Sequence, residues 1–414
     1  MLKRVIGIFL LIGIIGGLAA CGHVHVYGEW KSIHEATCTD YGYDVRYCEC
    51  GESELKYHKS LDHCFKEETE NGVKICINCG ITEPGTQSTV PEVTQPATVA
   101  QMQESFPLWE PSFSTEEYTV AIGRNNVSLD MGYSEFLAMY FDKYLGNQDG
   151  YTVTKYSLGK DSSGQYDVMA YDFVPDGYSK TVLISAGMNT CGLSPMWGLA
   201  YFMQAVMEQY DQDEGLEYIR KNVRIKIIPV LCPWSFDQTP MKYSNFNDVR
   251  INKNFSHKES WELMETTDGN TRGTAPDSEA ETVILKNWVT EHTGQADLWI
   301  DAHCDPDNNK PYLNSIFCSH TEMTPVVDSV QKRMKAYYIE KGTCTQEETV
   351  GSATAPLGVY PKTVYAHEVC NIDAIMIEQY PNGTAYGGDP TLANDDADIR
   401  NYVLMLRAYT LALL

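Results

Sequence analysis

Apolar positions in the second half of the chain fall into two kinds of run. Thr181–Ala186, Val223–Val230, Ala296–Ala302 and Ala374–Ile377 are short, continuous and rich in β-branched residues, which predicts buried strands. Between them the spacing is helical. Leu193, Met196, Trp197, Ala200, Tyr201, Met203 and Val206 fall on or near one face of a helix over Leu193–Tyr210. Val283, Ile284, Leu285 and Trp288 mark a helix over Pro276–Glu291, with Asp277 or Ser278 as its N-cap. Val326, Val327, Val330 and Met334 mark another over Pro325–Lys341, and Asp398–Leu414 reads as a closing helix. Strands alternating with helices predict an α/β domain over 113–414, with a mixed, mostly parallel sheet flanked by helices. In such a sheet the working residues gather at the carboxyl ends of the strands. Asp301-Ala302-His303, Glu378 and the stretch from Cys232 to Phe255 occupy those ends.

Before residue 113 the pattern changes three times. Lys3 and Arg4 precede an apolar run over Val5–Gly17, which ends in Leu18-Ala19-Ala20-Cys21. The run is short for a membrane span and reads as a signal peptide over 1–20. A cysteine directly after Leu-Ala-Ala resembles a bacterial lipobox, which implies cleavage before Cys21, lipidation of that residue and a chain anchored to a membrane from outside the cell.

Residues 21–81 carry two half-motifs: His25, Cys38, Cys48 and Cys50, then His63, Cys64, Cys76 and Cys79. Each supplies one His and three Cys, a closed set for structural zinc. Three disulfides are the alternative for an exported chain. A module of about 60 residues needs one staple or the other. The stretch also resembles the Cys/His-rich repeats of surface proteins in Gram-positive bacteria. Residues 82–112 are rich in Thr, Pro, Gln and Val with no helical period, the composition of an extended spacer.

Composition narrows the partners. With 31 Lys+Arg against 56 Asp+Glu the net charge is −25. No basic patch for phosphates is visible, so no nucleic-acid partner is expected. With 43% hydrophobic residues the chain can bury a core.

The motifs of the large domain follow a recognisable order. They are Gly187-Met188-Asn189 with Gly192 after the first strand, Cys232-Pro233-Trp234-Ser235 after the second, and Tyr243-Ser244-Asn245 through Ile251-Asn252-Lys253-Asn254-Phe255. Ser278-Glu279-Ala280-Glu281, Asp301-Ala302-His303 and Ile377-Glu378 complete the series. The series resembles the zinc carboxypeptidases of the carboxypeptidase A and B type.

That resemblance implies a zinc with an open position for water, which polarises the scissile carbonyl. It makes His303 a zinc ligand, Glu378 the general base, and Asn252 with Lys253 the pair that grips a substrate carboxylate. Tyr243 falls where the family has its oxyanion arginine. The first two zinc-ligand places fall on Asn189 and Gly192, neither of them a zinc-binding type. No acidic residue lies between Asp176 and Glu208 to replace them. Cys191, His257 and Asp305 are the nearest substitutes, and Tyr360 and Tyr365 precede Glu378 where a specificity pocket would lie.

The expectation is a surface lipoprotein that engages the C-terminal end of extracellular or cell-wall peptides, with lost or altered catalysis. The alternatives are a metallocarboxypeptidase with a rebuilt zinc site, and a cysteine hydrolase pairing Cys191 or Cys304 with His303.

Overall fold

The computed structural model describes residues 26–34, 42–47, 53–58, 65–67, 74–76, 131–148, 150–190, 193–238, 241–263, 271–304, 312–340, 349–354, 360–379 and 396–414. The chain divides into two compact units, Met1–Gln95 and Pro96–Leu414.

In the first unit, β1 (Lys31–His34), β2 (Gly42–Tyr47) and β3 (Ser53–His58) form an antiparallel sheet. The strands β4 (Phe65–Glu67) and β5 (Lys74–Cys76) form a separate antiparallel pair. The Arg46 guanidinium lies over the rings of Trp30 and Tyr27, 4.5 and 5.1 Å from their centroids. Cys21, His25, Cys38, Cys48, Cys50, His63, Cys64 and Cys79 lie outside the described residues, as does the side chain of Cys76.

The second unit is built on a nine-stranded sheet. Its strands are β6 (Gly146–Gln148), β7 (Tyr151–Lys160), β8 (Asp167–Pro175), β9 (Lys180–Ser185), β10 (Val223–Ile228), β11 (Leu298–Cys304), β12 (Tyr312–Cys318), β13 (Thr349–Thr354) and β14 (Asp373–Gln379). Their spatial order is β13-β12-β14-β11-β9-β10-β8-β7-β6. The neighbours from β14 through β10 run parallel, as do β12 and β13, whereas β12 on β14 and the β10-β8-β7-β6 edge are antiparallel. The sheet is therefore mixed as expected, with its continuous parallel block in the centre.

Seven helices of eight residues or more are described: α1 (Tyr133–Tyr140), α2 (Ser194–Glu208), α3 (Glu214–Asn222), α4 (Ala280–Glu291), α5 (Thr324–Glu340), α6 (Pro361–Cys370) and α7 (Asp396–Ala412). The four anticipated helices correspond to α2, α4, α5 and α7. The cap of α4 differs from expectation: its N-cap is Glu279, without a side-chain cap hydrogen bond. Asp277 has a positive φ of 52° and accepts from Ser256 N and Oγ and from Lys286 Nζ. It fastens a loop instead of opening a helix.

One face of the sheet packs Leu183 and Trp299 against Leu285 and Trp288 of α4 and Ala366 and Cys370 of α6. The helix α2 is apolar nearly all round, as in Met196, Trp197, Leu199, Phe202 and Met203, and all of these are fully buried. An element apolar on every side must be covered on every side, and α2 packs against both β11 and α7. From β9 the chain steps to β10 on one side and later to β11 on the other, so the parallel block reverses direction at β9. The crevice at that reversal, beyond the carboxyl ends of β9 and β11, is where open α/β sheets place their ligands.

Candidate active-site cleft

Three strand ends build the cleft. In β11, alternate residues Trp299, Asp301 and His303 share one sheet face, the face on which α6 lies. His303 pairs with Glu378 of β14 and Asp301 with Met376, while Asp301 also pairs with Ser185 of β9. The register thus brings His303 and Glu378 side by side, both largely buried at 3% and 7% exposure.

Beneath them runs a closed polar chain. Trp299 Nε1 donates to Ser185 Oγ at 3.0 Å, and Ser185 Oγ donates to Asp301 Oδ1 at 2.6 Å. Asp301 Oδ2 lies 2.9 Å from His303 Nε2. Tyr402 of α7 donates its hydroxyl proton to the His303 carbonyl from the opposite face.

Lys362, in the first turn of α6, completes the cluster. Its Nζ lies 2.6 Å from Asp301 Oδ2, 2.9 Å from His303 Nε2 and 3.3 Å from Met188 Sδ, and the residue is fully buried. Burial pushes the Asp301 carboxyl up, but the Lys362 ammonium and the His303 ring outweigh it and hold the group below the ordinary carboxylate range. An ammonium has three N–H donors and no acceptor. His303 Nε2 thus stands between a donor, Lys362 Nζ, and an acceptor, Asp301 Oδ2.

The zinc implied by the resemblance does not fit the residues present. His303 Nε2 is engaged by the Lys362 ammonium and the Asp301 carboxylate, and a metal on that nitrogen would have to displace both. The buried ammonium adds a like charge beside any cation placed there. Asn189 supplies only a carboxamide at the first ligand place that the resemblance implies, and Gly192 lies outside the described residues, as do Cys191, Asp305 and the side chain of Cys304.

The other anticipated residues divide into those near the cleft and those that serve the frame. Asn189 follows Gly187, whose φ is +68° and whose absent Cβ would sit 2.7 Å from the Val230 Cα. Only glycine lets this loop pass so close to the exit of β10. The neighbouring Met188 touches Lys362, and Thr190 Oγ1 donates to the Lys242 carbonyl at 3.0 Å, tying the loop to Tyr243. The Arg250 guanidinium lies 4.4 Å from the Tyr243 ring centroid. Asn252 and Lys253 occupy a short helical turn, Ile251–Asn254. Asn189 Oδ1 and Asn252 Oδ1 are both buried without a hydrogen-bond partner. Tyr360 donates its hydroxyl proton to Glu378 Oε2 at 2.9 Å.

The remaining substitutes are engaged elsewhere. His257 Nε2 lies 2.7 Å from Glu368 Oε2, and its ring meets the edge of Tyr365. Tyr365 is packed against Phe255, with its hydroxyl 2.8 Å from Thr290 Oγ1. Neither is a cleft residue. Cys232, Cys318 and Cys370 are buried free thiols, and burial pushes the Cys232 thiol well up.

Sequence reasoning missed Lys362. One signal was available: a lysine directly after Pro361 puts a cation at the positive end of a helix, where it is disfavoured unless a carboxylate waits for it.

Residues 174–361 match the family model for zinc carboxypeptidases. The segment ends one residue before Lys362. No curated protein sequence matches the chain. Among solved structures, thrombin-activatable fibrinolysis inhibitor is similar at 15% identity, over 67% of this chain and 72% of that one, with a TM-score of 0.51. Carboxypeptidase A from Helicoverpa armigera is similar at 14% identity, over 70% and 76% of the two chains, with a TM-score of 0.49.

Proposed function

We propose that the α/β unit, whose residues 174–361 match the zinc carboxypeptidase model, is a member of that family and engages the free C-terminal end of extracellular or cell-wall peptides without zinc hydrolysis. The observation that carries this reading is the commitment of Lys362 to Asp301, His303 and Met188. The family is zinc-dependent, and here a buried ammonium neutralises Asp301, two residues from His303. An ammonium committed to that carboxylate occupies the place of an ion and supplies no activated water.

The cleft keeps features that suit a peptide end. Buried acceptors without donors, such as Asn189 Oδ1 and Asn252 Oδ1, are costly unless a ligand N–H or water meets them. Lys253 and Arg250 bring positive charge to the loop beside Asn252, the side on which a terminal carboxylate would sit. The chain is further read as a lipoprotein held through Cys21, with residues 21–81 stapled by zinc or disulfides and 82–112 as spacer.

The test is binding of the full-length protein to a peptide with a free C-terminal carboxylate and to its C-terminal amide, followed by calorimetry, with mass spectrometry of the recovered peptide. Preference for the free carboxylate, with the peptide recovered intact, is the expected result. Equal affinity for the amide sinks the carboxyl-end reading. Chelator-sensitive loss of the C-terminal residue sinks the non-hydrolytic one and restores a metallocarboxypeptidase with a rebuilt site.

A further inference from the structure

A second cluster of metal-binding side chains lies at the other end of the same sheet. His320 follows β12, which runs antiparallel to β14, so it comes to the start of that strand. Ser319 fixes this approach: its N–H donates to the Ala374 carbonyl at 2.8 Å, and its hydroxyl oxygen accepts from the Ala374 N–H at 3.2 Å. Asp373 is the first residue of β14, and His367 lies in the last turn of α6, which packs along that strand.

The distances have the scale of a coordination shell. His320 Nε2 lies 3.0 Å from Asp373 Oδ1, and His367 Nδ1 lies 3.4 Å from the same oxygen. With metal–ligand bonds of 2.0–2.1 Å, the donor atoms of a tetrahedral site stand about 3.3 Å apart. The two imidazoles meet edge to face, their centroids 4.0 Å apart. His367 Nδ1, the nitrogen that faces Asp373, is buried without a hydrogen-bond partner. Two histidines crowd on one carboxylate, and a cation placed among them would take the unused lone pair of His367 Nδ1. Among the described residues this is the cluster of His, Cys, Asp and Glu whose donor atoms all lie within 4.8 Å of one another.

We propose that His320, His367 and Asp373 bind a divalent zinc-type ion. Two imidazoles and one carboxylate suit zinc, and cobalt or nickel in its place, better than calcium or magnesium, which take oxygen ligands. The side chains are 23%, 35% and 44% exposed, so an ion can enter from solvent. Three protein ligands leave a fourth position to water. The site is separate from the cleft, because Asp373 and Glu378 stand five residues apart on one strand, about 16 Å at 3.3 Å per residue. It also uses none of the groups around Lys362.

The experiment is zinc stoichiometry by elemental analysis on the full-length protein, stripped with chelator and re-equilibrated with zinc. The variants are His320→Ala, His367→Ala, Asp373→Asn and, as control, His303→Ala. Any zinc in residues 21–81 is common to all and cancels in the differences. The first three are expected to hold one zinc fewer than the wild type, while His303→Ala holds the same number. Zinc should also raise the melting temperature of the wild type more than that of the three variants. Circular dichroism in chelator checks that each variant is folded, and three independent changes at partly exposed positions guard against a single misfolded one. Equal zinc content in the wild type and all three variants would overturn the proposal, and so would a loss confined to His303→Ala.

Discussion

At the scale of single residues, Lys362 decides how this cleft differs from what its motifs promise. His303 and Glu378 were legible in the sequence because each ends an apolar strand, and a carboxylate or imidazole in that position must meet something polar. Lys362 was not, because its partners Asp301 and Met188 are 61 and 174 positions away in the chain and only the fold brings them together. The consequence is measurable. Removing one member of a buried ion pair strands the other's charge, at a cost of about 3–5 kcal/mol, whereas replacing both is often close to neutral. Lys362 and Asp301 are fully buried in both side chains. Lys362→Met is therefore expected to lower the unfolding free energy by that amount in urea titrations, and the double variant Asp301→Asn, Lys362→Met to recover most of it. A single Lys362→Met that unfolds at the wild-type urea concentration would show that the ammonium holds nothing in place.

At the scale of elements, the strands and helices read from the sequence were those with continuous apolar runs or a full helical stripe. β7 and β8 escaped because β7 alternates in Tyr151, Val153 and the polar residues between them, and only part of it is buried. It pairs with β8 on one side and with the three-residue β6 on the other. The helix α6 escaped because its buried residues, Lys362, Thr363, Tyr365 and Ala366, do not form an apolar stripe.

The Asn245–Phe255 stretch was legible as a motif, but much of it is scaffolding. Asn245 Nδ2 donates to Glu279 Oε2 and Glu281 Oε2 at 2.9 and 3.0 Å, and Asn254 Nδ2 donates to the Arg272 and Ala275 carbonyls. Burial pushes the Glu281 carboxyl up, against the hydrogen bonds from Asn245 and Ser162 that favour its charged form. Ser278-Glu279-Ala280-Glu281 is thus the clamp that shapes the loop carrying Asn252 and Lys253.

The crossing of α2 and α7 offers a test at this scale. A Cβ on Gly198 would stand 2.2 Å from the Tyr402 Cβ, and Tyr402 is the residue that holds the His303 carbonyl. In an open helix, glycine to alanine gains about 1 kcal/mol. Here overpacking is expected to outweigh it, with a net loss of about 1–3 kcal/mol. Calorimetric melting of Gly198→Ala decides the sign, and a raised melting temperature would mean that the two helices separate freely.

At the scale of the whole molecule, the chain divides into two compact units, Met1–Gln95 and Pro96–Leu414, and the expected spacer over 82–112 lies outside the described residues. The proposed attachment through Cys21 is a matter of chemistry rather than of shape. Among the described residues no helix is long and apolar enough to cross a membrane. A chain with a net charge of −25 is repelled by an anionic membrane surface, so electrostatic adsorption cannot hold it there. An acyl anchor on Cys21 would do so through buried CH₂ groups, and two or more chains are needed for stable attachment. This attachment should be insensitive to salt and lost with the thiol. In cells producing the full-length chain, the wild type is expected in the membrane fraction after washing with high salt, and Cys21→Ser in the soluble fraction or as an uncleaved precursor. Detergent-free extraction of the wild type by salt alone would replace the lipid anchor with an ionic contact, and the spacer over 82–112 would then have to be read as reaching toward a charged partner instead of away from a bilayer.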